Sequence, residues 1–289
     1  MPACYQDARL CGGDCVSLTN PNRCGPSCAS CGAVPNGAPA CDGLSCSATC
    51  PLPLPDGGVS LDAGTPAWDC DGLASNGCES ATRCTLPITN GLVAEYLFSG
   101  NTNNTAGSGS GTVVGATLTT DRKGQAASAY AFVAASAQYI SFGSVTGLPS
   151  GKTPRSVSLW YRGTPSSPYQ SLLNWGTANS DARFGISLGS SGTMFFTGQY
   201  DDVYGGSQNV ADGQWHHLAV TWNGALIAVY LDGRETGRGL GYPLNTSSGG
   251  LVVGKKVDTN GEYGNGAIDD IRIYNRTLTG SEIEALSKE

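Results

Sequence analysis

The sequence predicts an all-β protein, an antiparallel β-sandwich over residues 85–289 with a small, disulfide-rich, loop-dominated region at residues 1–84. Three observations carry this. From Leu86 onward, short apolar runs recur between Gly, Asn, Asp and Ser clusters, with no sustained helical period. The chain of 289 residues holds 42 Gly and 15 Pro, and only 13% of it is charged against the ~25% usual in soluble domains. All 12 Cys lie between Cys4 and Cys84.

The Cys-rich region comes first in the chain. Cys4, Cys11, Cys15, Cys24, Cys28, Cys31, Cys41, Cys46, Cys50, Cys70, Cys78 and Cys84 are set among turn formers such as Cys11-Gly-Gly-Asp-Cys15 and Cys41-Asp-Gly-Leu-Ser-Cys46. Such a segment cannot build a core by burial, so cross-links must order it, and that places it in an oxidising compartment outside the cytosol. An even count suits a full set of bridges, whose connectivity the spacing does not give. Zinc is the alternative for Cys28-Ala-Ser-Cys31. A zinc site needs a second pair or nearby imidazoles, and both histidines stand far away at His216 and His217. The stretch from Cys11 to Cys50 resembles stigma-specific-type repeats of secreted bacterial proteins, which implies a spacer or stalk without catalytic residues. Pro51-Leu-Pro-Leu-Pro55 then opens a linker over residues 51–68. In Asp69-Cys70-Asp71-Gly72 the glycine comes too early for an EF-hand loop, so a pinned turn is expected there.

The strands follow in order. Alternating or continuous apolar runs predict strands at Leu92–Phe98, Tyr139–Phe142, Val157–Tyr161, Phe184–Leu188 and Met194–Phe196. Further runs lie at Trp215–Trp222, Leu226–Leu231, Leu251–Val253 and Ile268–Tyr274. Only Ser281–Leu286, after Thr279, reads as a short helix. A formal charge of −7 excludes the basic footprint of a nucleic-acid binder. No apolar run reaches the length of a membrane-spanning helix. Met1-Pro2-Ala3-Cys4 has neither the basic nor the apolar part of a signal peptide, so none is expected within this sequence.

Several segments resemble laminin G-like, concanavalin A-like jelly-roll domains in order along residues 88–287. They are Gly91-Leu-Val-Ala-Glu-Tyr-Leu-Phe-Ser-Gly-Asn101, Gly124-Gln-Ala with Tyr139-Ile-Ser-Phe142, and Ser156-Val-Ser-Leu-Trp160. Asp212-Gly-Gln-Trp-His-His-Leu-Ala-Val-Thr221 with Tyr230-Leu-Asp-Gly233, and Gly266-Ala-Ile-Asp-Asp-Ile-Arg-Ile-Tyr-Asn275, complete the set. The resemblance implies a lectin-type jelly roll. It does not fix the function, because this fold serves lectins, adhesins and hydrolases alike.

The candidate chemistry is sparse. His216 and His217 are adjacent on a predicted strand, so they point to opposite faces and cannot chelate one ion. Gly185-Ile-Ser187-Leu-Gly189 matches a hydrolase nucleophile pattern but lacks the strand-to-helix elbow that exposes the serine. No closely spaced acid triplet of the glycosidase kind is present, and no catalytic residue is assigned. Asp269 shares strand parity with Ile271 and Ile273, which predicts a core-side carboxylate in need of a partner. The resemblance implies calcium there, on Asp269 and Asp270 with oxygens from Ser99 and Asn101. The loop Ser99-Gly-Asn101-Thr-Asn103-Asn104 has no carboxylate where the family often has Asp, which weakens such a site. A hydrogen-bonded Asp without metal is the alternative. For a saccharide, which needs aromatic faces beside polar edges, Tyr200, Asp201, Asp202 and Tyr204 form the richest loop. Trp175 and Glu262-Tyr263 follow, although Trp175 equally suits the core.

These readings converge on an extracellular, non-enzymatic binding or adhesion module for a saccharide or glycoconjugate. The rival is a structural subunit of an extracellular fibre or appendage, its Cys-rich arm docking on a neighbouring subunit. Because the sandwich has no Cys to lose, mild reductant is expected to make residues 1–84 protease-sensitive while residues 88–289 stay folded. Limited proteolysis with mass spectrometry checks this, and unfolding of the C-terminal part would contradict the two-region division.

Overall fold

A computed structural model describes residues 88–166 and 169–289, together with four short strands near the N-terminus. Those four are β1 (Ala8–Cys11), β2 (Asp14–Ser17), β3 (Ala38–Cys41) and β4 (Cys46–Thr49). They form two antiparallel hairpins, β1–β2 and β3–β4. The disulfide, spacer and linker expectations for residues 1–84 rest on side chains and segments outside the described residues. The chain divides into two units, Met1–Asn90 with Leu278–Glu289, and Gly91–Thr277.

The second unit is an all-β sandwich of jelly-roll type. Its first strands are β5 (Leu92–Tyr96), β6 (Thr112–Val114), β7 (Thr117–Thr119), β8 (Ala129–Phe132) and β9 (Tyr139–Gly143). Then come β10 (Arg155–Gly163), β11 (Tyr169–Gly176), β12 (Arg183–Gly189), β13 (Thr193–Thr197) and β14 (Asp202–Asn209). The last are β15 (His216–Trp222), β16 (Leu226–Leu231), β17 (Arg234–Leu240), β18 (Leu251–Val253) and β19 (Gly266–Tyr274). One sheet of eight strands runs β17-β16-β15-β10-β19-β8-β7, and β5 pairs with β19 beyond β8. The other, of seven, runs β14-β13-β12-β11-β18-β9-β6. Each predicted strand appears. Those at β6, β7, β8, β11, β14 and β17 are additional, and most of their sequences are too polar or too short to announce themselves.

Alternation places Val157, Leu159 and Tyr161 of β10, and Leu218, Val220 and Trp222 of β15, on the inner face of the larger sheet. Phe184, Ile186 and Leu188 of β12, with Met194 and Phe196 of β13, line the inner face of the other. In the first unit, Gly280–Leu286 forms the expected helix, α1. Thr279 caps it: its hydroxyl accepts from Glu282 N at 3.2 Å, and Glu282 returns the bond by accepting Thr279 N at 2.8 Å.

Arg155 is the exception in this interior. It is fully buried, yet no carboxylate pairs with it among the described residues. Its guanidinium donates to the carbonyls of Pro149, Ser150, Gly151 and Thr153 at 2.8–3.2 Å. It also lies over the rings of Phe184, at 5.3 Å, and Trp222, at 5.0 Å, one from each sheet. Only a planar fork can meet several carbonyls while stacking between two rings. Arg155→Lys is therefore expected to lose about 2–3 kcal/mol and Arg155→Ala about 3–5 kcal/mol in urea unfolding, since each strands buried carbonyls. A lysine variant as stable as wild type would refute that role.

Candidate functional site

Two outward faces carry polar chemistry. On the larger sheet, Trp160 of β10 stands directly between His217 of β15 and Asp269 of β19. This corrects the expected parity of Asp269. The β10–β19 register shifts between Ser158 and Trp160, and Asp270 adopts φ +43° there. That bulge adds one residue to the strand, so Ile271 and Ile273 face the core while Asp269 faces out beside Trp160. Asp269 is nonetheless buried. Arg122 meets it at 3.1 Å and Asp270 at 2.5 Å, and lies over the Trp160 ring at 4.6 Å. Burial, then repulsion from Asp270, pushes the Asp269 carboxyl up to about 7, and Arg122 opposes them.

Most of the oxygens expected to hold calcium are engaged within the protein. Asp269 Oδ1 accepts its neighbour's N–H at 2.8 Å, and the guanidinium takes the remaining carboxylate oxygens named above. Asn101 Oδ1 accepts Asn103 N at 2.8 Å, and its amide donates to Ser99 O at 2.9 Å. Arg122 thus stands at the Asp269–Asp270 pair where the expected cation would have to bind. His216 and His217 diverge as expected. His216 bonds to Asp232 at 2.9 Å and Asp212 at 3.2 Å, whereas His217 is buried against Trp160 and burial holds its pKa near 3. Arg122 Nη2, Trp160 Nε1 and His217 Nδ1 have no hydrogen-bond partner among the described residues.

The outward face of the smaller sheet is built differently. Along β12, Arg183, Gly185, Ser187 and Gly189 alternate with core residues. Ser187, of the Gly185–Gly189 match, is a buried strand residue with no strand-to-helix elbow, within 3.4 Å of Ser171 Oγ. The segment after β18 crosses over β11. Asn174 holds it by donating to Lys255 O and accepting Val257 N, both at 2.8 Å, and Ser171 N donates to Glu262 O at 2.8 Å. Gly185 is required opposite Asn174, because a Cβ there would lie 2.5 Å from that of Asn174. The crossing brings Glu262 to 3.7 Å from Arg183 and 3.0 Å from Lys256. Arg183 also donates to Thr197 Oγ1 at 2.5 Å. Thr197 stands opposite Asp202 across β13–β14, and burial raises the Asp202 pKa while the Thr197 hydroxyl and Arg183 counter it.

Beside this polar cluster lies an aromatic row. Phe195 is flanked by Tyr169, with ring centroids 6.1 Å apart, and by Tyr204 at 5.1 Å. The two tyrosines are 45% and 52% exposed, so their outer faces are open. The turn into β14 holds Gln199 at φ +67° and Tyr200 at φ +76°, and Tyr200 is 81% exposed. Two consecutive non-glycine residues in this region cost on the order of 1–3 kcal/mol each, a strain that concentrates at ligand sites. Asp201 shares a hydrogen bond with Asp181; burial first, then that partner, pushes it up to about 6. Trp175, the remaining predicted ligand residue, belongs to the core. It is fully buried and donates to Pro149 O at 2.7 Å.

This architecture has known counterparts. The family profile described as the concanavalin A-like lectin/glucanases superfamily, of laminin G type, matches residues 134–284. The chain belongs to this family. Among solved structures, the laminin G-like fold resembles domain 4 of AbnA, a GH43 extracellular arabinanase from Geobacillus stearothermophilus, in complex with arabinotriose. Identity is 22% and the TM-score 0.50, over 68% of this chain and 98% of that one. It also resembles the binding domain of Paraclostridial Mosquitocidal Protein 1, at 16% identity and a TM-score of 0.56, over 70% and 52% of the two chains. Trypanosoma rangeli sialidase matches at 16% identity and a TM-score of 0.53, over 78% and 36%. A rat relative, the sushi, von Willebrand factor type A, EGF and pentraxin domain-containing protein 1, is 26% identical over 134 residues, or 40% of this chain. The laminin G-like chain spans only 4% of that relative's length.

The sequence named Tyr200, Asp201, Asp202 and Tyr204 as candidates, whereas Arg183, Phe195 and Tyr169, which the fold places on the same face, were passed over. The signals were present. Arg183 heads a strand whose outward positions are otherwise Gly and Ser, and Phe195 interrupts alternation between Met194 and Phe196. On the larger sheet, Asp269 carries a folded pKa above its unfolded value, so protonation favours the folded state. Stability is expected to fall as pH rises from about 4 through 7, by about 1–3 kcal/mol, with a shallower profile in Asp269→Asn. Thermal melts across pH check this, and a profile that Asp269→Asn leaves unchanged would refute it.

Proposed function

We propose that this chain is a non-enzymatic, extracellular saccharide- or glycoconjugate-binding module, and that the outward face of its smaller sheet is the binding surface. The observation that carries the reading is the exposed pair Tyr169 and Tyr204 flanking Phe195, beside the Arg183–Thr197–Asp202 cluster. A sugar ring has apolar C–H faces and hydroxyl edges. Flat aromatic faces take the former, and charged side chains with fixed geometry take the latter. The complex of the arabinanase domain with arabinotriose supports a saccharide on this fold, and the extracellular description of that enzyme supports the location. The burial of Ser187 within a strand supports the absence of hydrolase chemistry.

Tyr204→Ala is expected to weaken binding on a glycan array, and then in calorimetry with the best ligand, by about tenfold. The melting temperature should stay within a few degrees of wild type, because the ring is half exposed. Unchanged affinity in Tyr204→Ala and Tyr169→Ala would place the ligand elsewhere.

A further inference from the structure

We infer that the ligand of this face is a neutral, hydroxyl-rich saccharide and not an anionic one; the inference rests on the saccharide reading given above. The argument comes from polar atoms left without partners around Thr197. Arg183 has a side chain only 5% exposed; among the described residues its Nε and Nη1 have no hydrogen-bond acceptor, Nη1 making only the 3.7 Å ion pair with Glu262, and Nη2 is used by Thr197. Three acceptor atoms in the same cluster also lack a hydrogen-bond partner among the described residues: Asp202 Oδ1, Asp201 Oδ2 and Gln199 Oε1. Thr197 joins the set. Its Oγ1 receives Arg183 Nη2 at 2.5 Å and Gln199 N at 3.4 Å, and its strand position faces Asp202.

Orphaned donors and orphaned acceptors thus stand together. A carboxylate or sulfate only accepts, so it could serve Arg183 but would leave the single atoms Asp202 Oδ1, Asp201 Oδ2 and Gln199 Oε1 unmet. A hydroxyl both donates and accepts, and neighbouring hydroxyls on one sugar ring present both functions at the spacing of adjacent side chains. The 3.7 Å contact between Arg183 Nη1 and Glu262 Oε2 is too long for a direct hydrogen bond.

Charge leads to the same class. Arg183 and Lys256 are the cations of the cluster, against the carboxylates of Glu262, Asp202, Asp201 and Asp181. An anionic sugar would add to an existing excess of negative charge, whereas a neutral one adds none. The exposed faces of Tyr169 and Tyr204 supply the remaining contact.

Affinity electrophoresis of the full chain through gels containing arabinan, dextran or β-glucan, and through gels containing polygalacturonate, tests this. Retardation is expected in a neutral gel and not in the polygalacturonate gel. It should be the same at about 50 and about 500 mM salt, since no net charge pairing is involved. Asp202→Ala and Tyr204→Ala should each weaken it by about tenfold, with melting temperatures close to wild type. Salt-sensitive retardation by polygalacturonate that is lost in Tyr204→Ala would overturn the neutral class and leave the binding face standing. Neutral retardation that survives Asp202→Ala would overturn the hydroxyl network. No retardation in any gel would take down the binding-face reading itself.

Discussion

The guanidinium of Arg155 is the interaction on which the turn that presents Tyr200 depends, although it lies in the interior. It holds the Pro149–Thr153 loop through four carbonyls and stacks between one ring of each sheet. That loop pairs onward: Gly151 and Thr246 exchange backbone bonds at 2.7 and 3.1 Å. Next to Thr246, Asn245 N donates to Asp181 O at 2.8 Å, and Asp181 N donates to Gln199 O at 3.3 Å. A continuous backbone path therefore runs from a buried cation to the strained turn that presents Tyr200. A cation in a low-dielectric interior cannot shift without losing several bonds at once, which gives the far end of the path a fixed anchor.

Bulges decide where the polar residues of this sandwich point. One extra residue moves every later side chain to the other face of a strand. At Asp270 the inserted residue turns Asp269 away from the core and onto the face of Trp160 and Arg122. In β11 the register shift between Ser171 and Leu173 puts Leu172 and Leu173 both among the core residues. Asn174 is thereby aimed at the crossing segment, where it fixes Lys255 and Val257 and so places Glu262 over Arg183.

Legibility in the sequence follows from the same physics. The alternation of Phe184, Ile186 and Leu188, or of Leu218, Val220 and Trp222, is a local pattern with period two, so the core and most strands could be read directly. The Thr279–Glu282 capping box is equally local. A bulge is not. Asp269 lies two places from Ile271 in the sequence, and only the left-handed backbone at Asp270 reveals that the two point apart. The candidate ligand site was half legible, because Tyr200, Asp201, Asp202 and Tyr204 fall within one turn and strand. Arg183, Phe195 and Glu262 join them through strand pairing and a crossing segment, and no spacing rule encodes such contacts.

The two outward faces show why aromatic exposure distinguishes a ligand surface better than charge does. Both hold buried carboxylates, a guanidinium and unpartnered polar atoms. On the larger sheet the guanidinium of Arg122 lies over Trp160, so the ring's attractive face is spent on an internal cation. On the smaller sheet Arg183 sinks beneath the Lys256–Glu262 crossing, with only 5% of its side chain exposed. The adjoining tyrosines instead pack edge and face against Phe195, which holds them rigid and leaves an outer surface of each open. A rigid ring with an open face loses little conformational entropy when a sugar stacks on it. The proposed binding surface is therefore the face where an inner arginine organises the polar contacts and the aromatic rings remain uncovered.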